Sequence, residues 1–265
     1  MLYPLRLLAV MSCLLLSQAP RAAGVVETDA LQRHFDAAGL RGTFVLYDAS
    51  SDQMTVYNPK RAATAYTPAS TFKIFNSLAA FDSGAVRDAD EILPYGGKPQ
   101  WLPAWERDMH LRDAMRLSSV PIYQEVARRI GQPRLQAYVK AVGYGNGDIG
   151  PMVDRFWLDG PLAITAEQQA RFTARLGLGQ LPFSARAMSM TRDIMQLEKT
   201  ADYTLYGKTG WATNSKPAIG WWVGYLQRGD KVYGYALNID MPTLDDAPKR
   251  MPLGKACLKA LGVLP

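Results

Sequence analysis

Ser70 and Lys73 stand three residues apart in Ser70-Thr71-Phe72-Lys73, the only Ser-x-x-Lys in the 265-residue chain. A serine hydroxyl is a weak nucleophile until a base takes its proton. Residues i and i+3 of a helix share a face, so a helix beginning at Ser70 would bring the Lys73 amine to the Ser70 hydroxyl. It would also leave the Ser70 backbone N–H without an intrahelical partner, open to a developing oxyanion. One turn thus offers a nucleophile, a candidate base and an oxyanion donor. Such a spacing also arises by chance in a chain of ordinary composition, so its neighbours must carry the reading.

Other chemistries find little support. The two histidines, His34 and His110, lie in neither an H-E-x-x-H nor a triad-like setting, which leaves a zinc site or a Ser-His-Asp hydrolase without its parts. There is no G-x-S-x-G elbow. Residues 145–150 match G-x-G-x-x-G but follow a helix-like stretch and run into Pro151, whereas a dinucleotide loop must follow a strand and open a helix. Any nucleophilic catalysis here needs a base other than histidine, which raises the value of Lys73. Three further stretches offer matching chemistry. Lys208-Thr209-Gly210 closes an expected strand, where a cation, a hydroxyl and a glycine suit an anionic ligand against a sheet edge. Ser118-Ser119-Val120 falls at a helix junction, and Tyr144-Gly145-Asn146 follows another helix. Taken singly, these triplets also read as ordinary caps and turns.

The elements that must position these residues follow from periodicity and breakers. A helix is expected over 27–40, a hairpin from strands 43–47 and 54–57, and a helix from Ser70 to the Ser83-Gly84 break. Helices are expected over 111–117, 121–130, 133–142, 166–176 and 185–197, with Thr165 and Ser184 as caps of the last two. Strands return over 203–207, 220–226 and 231–239, and a final amphipathic helix covers roughly 248–261. Strands at both ends with helices between predict an α+β architecture. Its antiparallel sheet is flanked by terminal helices, and a helical lobe is inserted. The sheet lobe takes about 25–66 with 199–265, and the helical lobe about 67–198, within one domain over 25–265.

Residues 1–24 read as a cleaved secretory signal peptide: Arg6, an apolar run over 7–16, then small residues to Gly24. The run is too short to span a membrane. A mature chain without Arg6 and Arg21 would carry +4, two below the +6 of the whole sequence. That is no nucleic-acid signature. Cys257 would be its only cysteine, so it holds no internal disulfide and reads as a small buried apolar group.

S-T-F-K, S-x-V, Y-G-N and K-T-G, in this order, resemble the penicillin-recognising serine enzymes, and among them the class D β-lactamases or oxacillinases. The resemblance runs from about Gly42 to the C-terminus. It takes in Trp105-Glu106-Arg107-Asp108, Phe156-Trp157-Leu158, Gly220-Trp221-Trp222-Val223-Gly224 and Asn238-Ile239-Asp240. The class A pattern is less similar, with Ser118-Ser119-Val120 where Ser-Asp-Asn would stand. The resemblance implies hydrolysis of β-lactams in the periplasm through a Ser70 acyl-enzyme, and β-lactam resistance. Lys73 would be the base as an N-carboxylysine formed reversibly with CO₂, with no other cofactor and no metal. Trp157 would donate to that carboxylate, and Ser118 would relay a proton. Backbone N–H groups of Ser70 and Trp211 would form the oxyanion hole. Phe72, Val120 and Leu158 would line walls, Tyr144 and Gly210 would border the substrate, and Lys208, Thr209 and Arg250 would hold its carboxylate, Arg250 as a bidentate fork. The implied partners are small β-lactams, with no nucleic acid and no membrane anchor after cleavage, for a monomer or homodimer. Two other readings stay open at this point: an antibiotic-sensing receptor domain, and a cell-wall transpeptidase or carboxypeptidase.

Overall fold

The computed structural model describes residues 24–265, so the leader expected over 1–24 lies, Gly24 apart, outside the described residues. The chain opens with β1 (Gly24–Glu27), α1 (Gln32–Ala38), β2 (Gly42–Asp48), β3 (Gln53–Tyr57) and the single turn α2 (Pro59–Ala62). A 3-10 turn, Ala69–Phe72, leads into α3 (Lys73–Ser83). The helical stretch continues with α4 (Leu111–Leu117), α5 (Val120–Ile130), α6 (Gln132–Val142), α7 (Phe156–Asp159), α8 (Ala166–Gly177) and α9 (Ala185–Met195). The sheet is completed by β4 (Gln196–Lys199), β5 (Thr204–Ala212), β6 (Ile219–Arg228) and β7 (Lys231–Asp240), and α10 (Arg250–Ala260) closes the chain. This is the α+β arrangement that the sequence predicts.

All seven strands form one sheet in the order β1-β3-β2-β7-β6-β5-β4, antiparallel except for the β1–β3 pair. The central strands are buried on both faces because helices cover both. In β6, Trp221 belongs to the core shared with α3, α5 and α8, whereas Trp222 belongs to the core under α1 and α10 with Phe35, Phe44 and Leu258. Consecutive strand residues point to opposite faces, so this Trp-Trp pair anchors both layers. Gly254 lets α10 lie against Trp222, since a Cβ there would fall 2.1 Å from the indole.

Several boundaries differ from expectation. The helix predicted over 27–40 begins only at Gln32, because Val25 and Val26 pair with Met54 and Thr55 in β1. β-Branched residues suit that extended backbone. The helix predicted to reach 197 stops at Met195, where Gln196 turns extended and starts β4. The strand predicted to end at 207 runs on to Ala212, so Lys208-Thr209-Gly210 lies inside it rather than closing it. The edge expectation survives in another form: β4 pairs only with Thr204–Tyr206, which leaves the outer edge of β5 unpaired beyond Tyr206.

Candidate active site

That unpaired edge faces the Ala69–Phe72 turn. Gly210 makes the approach possible: a Cβ there would lie 3.0 Å from the Pro68 carbonyl oxygen and from Thr71 Cγ2. Ala69 is held at φ 50°, in the left-handed region, which costs an L-residue on the order of 1–2 kcal/mol. The turn is therefore a strained corner that tertiary contacts keep. Ser70 sits in its 3-10 segment and Lys73 opens α3, a tighter geometry than the plain α-helix predicted from Ser70. The outcome is the pairing that the spacing calls for: Lys73 Nζ lies 2.8 Å from Ser70 Oγ.

Lys73 is wholly buried, and among the described residues no carboxylate pairs with it. Burial first, and the nearby Lys208 charge second, hold its amine well below the ordinary lysine value of 10.5. A buried lysine without a counter-ion favours the neutral amine, which can accept a proton. Its Nζ lies 5.3 Å from the centroid of the Tyr123 ring, on α5. The α4–α5 junction leads into that helix. There Ser118 caps α4 at φ 57° and stays partly exposed, Ser119 is buried, and Val120 starts α5 half-buried.

Phe72 carries the aromatic floor. It stacks on Trp157 at 5.5 Å and meets Phe156 edge-on at 5.1 Å, both on α7. Trp157 is fully buried, and its Nε1 has no hydrogen-bond partner. A buried indole N–H normally has an acceptor, so this orphan donor suits an acceptor group held within the site. Leu158 follows on the same turn, half-buried, and Asn214 of the β5–β6 loop donates to its carbonyl and to Asp159 Oδ1.

The other wall is cationic. Lys208 is 5% exposed, its Nζ donates to the Thr209 carbonyl at 3.0 Å, and burial, with Arg250 next, pulls it down to about 7. Arg250, the first residue of α10, donates from Nη1 to the Gly210 carbonyl at 2.7 Å and from Nε to the Ala247 carbonyl at 3.0 Å. Burial lowers it to about 10. Backbone therefore takes Nε and one N–H of Nη1, and the remaining N–H groups and the charge are left for a ligand. Trp211 continues the edge, its indole donating to the Met241 carbonyl at 2.8 Å. A cavity of about 560 Å³ reaches Lys208 and Thr209 from the side of Arg112, Arg116 and Met251, without reaching Ser70.

Tyr144 departs from the expectation. Expected beside the substrate, it is 1% exposed under Phe72 and Phe75, its ring edge-on to both. Its neighbours fasten structure instead: Asn146 exchanges backbone and side-chain hydrogen bonds with Pro161 and Ala163, which sets the segment after α7. Three residues escaped the sequence reading. Trp101 is 62% exposed and spans from Trp105 to Trp211 at 6.2 and 6.0 Å, in a stretch without periodicity. Thr71 and Gln169 share a buried hydrogen bond of 2.8 Å. Gln169 could have been found as the polar interruption in the Ala166, Ala170, Thr173, Ala174 stripe of α8.

Comparison with known proteins bears on what this arrangement does. Residues 42–259 match the family described as penicillin binding protein transpeptidase domain. The β-lactamase OXA-48 of Klebsiella pneumoniae is 40% identical over 239 residues, 90% of each chain, and OXA-5 of Pseudomonas aeruginosa 37% over 243 residues, 91% of each. Among solved structures, a class D β-lactamase from Nostoc superposes with a TM-score of 0.85 at 44% identity, covering 88% of this chain and 99% of its own. FUS-1 (OXA-85), from Fusobacterium nucleatum subsp. polymorphum, gives 0.86 at 39% identity, covering 90% and 100%.

Proposed function

The chain belongs to the class D β-lactamases, serine hydrolases of β-lactams, and on that premise we propose that it works through an ester on Ser70 with Lys73 as the base. One observation carries this assignment: a wholly buried Lys73 amine, 2.8 Å from the Ser70 hydroxyl. Ser70 Oγ attacks the lactam carbonyl while its proton passes toward the Lys73 side chain. Backbone N–H groups of Ser70 and Trp211 receive the oxyanion, each such donor contributing about 2.7–4 kcal/mol. Ser118 hands a proton to the lactam nitrogen as the C–N bond breaks, and water then cleaves the ester. Lys208, Thr209 and Arg250 hold the substrate carboxylate, which adds one negative charge to a wall of two cations. Val120 and Leu158, each half-buried, line the substrate.

The reversible addition of CO₂ to Lys73 fits these surroundings. The amine is desolvated, no protein carboxylate serves it, and the Trp157 Nε1 donor lacks an acceptor. As an N-carboxylate, Lys73 would supply an anionic proton acceptor where an ammonium could supply none. No other cofactor enters this reading.

The leader pattern of residues 1–24 supports export to the periplasm. Among the described residues, no helix is long and apolar enough to cross a membrane. Steady-state turnover tests the hydrolase against a receptor or transpeptidase that merely acylates. The mature protein should consume penicillin well beyond one equivalent, and a burst of one equivalent followed by arrest would overturn hydrolysis as its activity.

A further inference from the structure

Behind the nucleophile turn runs a directed chain of buried hydrogen bonds to which the reaction above assigns no role. The Tyr144 hydroxyl donates to Gln169 Oε1 at 3.4 Å, Gln169 Nε2 donates to Thr71 Oγ1 at 2.8 Å, and Thr71 Oγ1 donates to the Pro68 carbonyl at 2.7 Å. Thr71 and Gln169 are wholly buried, so each donor in the chain depends on the next acceptor. Reversing the Gln169 amide would set its oxygen against Thr71 and draw the Thr71 proton away from Pro68. The last bond brackets Ala69, at φ 50°, and Ser70 between its two ends. Nothing in the intrinsic preference of an alanine keeps that corner.

We propose that Gln169 is a positioning residue for the nucleophile: from α8 it pins Thr71, and through Thr71 the strained Pro68–Ala69–Ser70 corner that sets Ser70 Oγ against Lys73 and β5. The inference rests on the reading of Ser70 as nucleophile. Gln169 touches neither substrate nor reacting atoms and acts through Thr71. Gly210 of β5 lies close against the same two groups, the Pro68 carbonyl and Thr71. The corner is thus clamped between a sheet edge and a helix, and Gln169 is the polar half of the clamp. Such a clamp should affect the orientation of attack more than substrate affinity, because misplacing a reacting atom lowers rate with little change in ground-state contacts.

The test uses single-turnover acylation by a chromogenic cephalosporin. Gln169→Met, which keeps side-chain length without the amide, should acylate about tenfold more slowly with the binding constant changed less than about twofold. Adding Ala69→Gly should restore most of that rate, because glycine adopts positive φ without support. A rate within twofold of wild type, or a loss that Ala69→Gly leaves in place, overturns the proposal. Should Gln169→Met fail to fold, Thr71→Ser against Thr71→Val decides. Serine keeps the hydroxyl link and should acylate near the wild-type rate, valine about tenfold more slowly, and equal rates overturn the proposal. Failure of the underlying reading looks different: wild-type protein would then gain no ligand mass on Ser70. Mass on Ser70 at equal rates in wild type and Gln169→Met would sink the clamp alone.

Discussion

Raising the pH through neutrality should weaken substrate capture by discharging Lys208. Burial, with Arg250 adding to it, pulls this lysine down to about 7, and among the described residues its Nζ is hydrogen-bonded only to the carbonyl and hydroxyl of Thr209. A lowered lysine value means that the charged form is present below pH 7 and lost above it. At pH 9 about one molecule in a hundred would keep the proton. A charge-assisted hydrogen bond to the substrate carboxylate is worth about 2 kcal/mol, or about 30-fold in affinity. The two together give a fall in kcat/KM of about 20-fold between pH 6 and pH 9. Because kcat/KM reports the free enzyme and kcat the complex, and because a bound carboxylate restores the lysine proton, kcat should stay level where kcat/KM has already fallen. The assay is a pH series of steady-state kinetics at fixed ionic strength, for wild type and Lys208→Arg. The guanidinium keeps its charge throughout, so the alkaline limb should disappear in Lys208→Arg. An unchanged limb in that variant, or a flat wild-type profile to pH 9, would refute the reasoning.

Three further outcomes follow from the same geometry. Arg250→Ala should raise KM by about 30-fold with kcat little changed, and should move the Lys208 limb to higher pH, because the neighbouring positive charge that lowers Lys208 is gone; steady-state kinetics across pH reads both effects. Gly210→Ala would place a methyl 3.0 Å from the Pro68 carbonyl and Thr71, so it should lower stability by about 1–3 kcal/mol and slow acylation, measured by denaturant melts and single-turnover kinetics. Trp157→Ala should slow deacylation more than acylation and weaken CO₂ retention at Lys73, read as loss of a ¹³C carbamate resonance that Lys73→Ala also abolishes; an unchanged resonance would count against Trp157 as its donor.

Local chemistry proved more legible than depth. Ser70 and Lys73 could be paired from spacing because one turn of helix fixes both, and even the 3-10 geometry preserved the contact at 2.8 Å. The span of α4, expected over 111–117, also matched, and the structure adds what ends it: the His110 side chain as N-cap and Ser118 in the left-handed conformation. Tyr144 was misplaced because burial depends on what packs over a side chain, here Phe72, Phe75 and Phe172 from distant segments. The length of β5 was hidden by Gly207 and Gly210, whose low strand propensity masks a strand in which they serve close approach. β1 escaped because a four-residue parallel strand takes its pairing from β3 rather than from any pattern of its own. The strain at Ala69 has no sequence signature at all; it emerges only when Pro68, Thr71 and Gly210 meet.

The account stands on Ser70 as the atom that becomes acylated. Intact-mass spectrometry of the mature protein after brief exposure to a slowly released penicillin, followed by peptide mapping, addresses it directly. One ligand mass per chain, located on Ser70 and absent from Ser70→Ala, is the predicted result. Labelling that persists in Ser70→Ala, or that maps to any other residue, would contradict it.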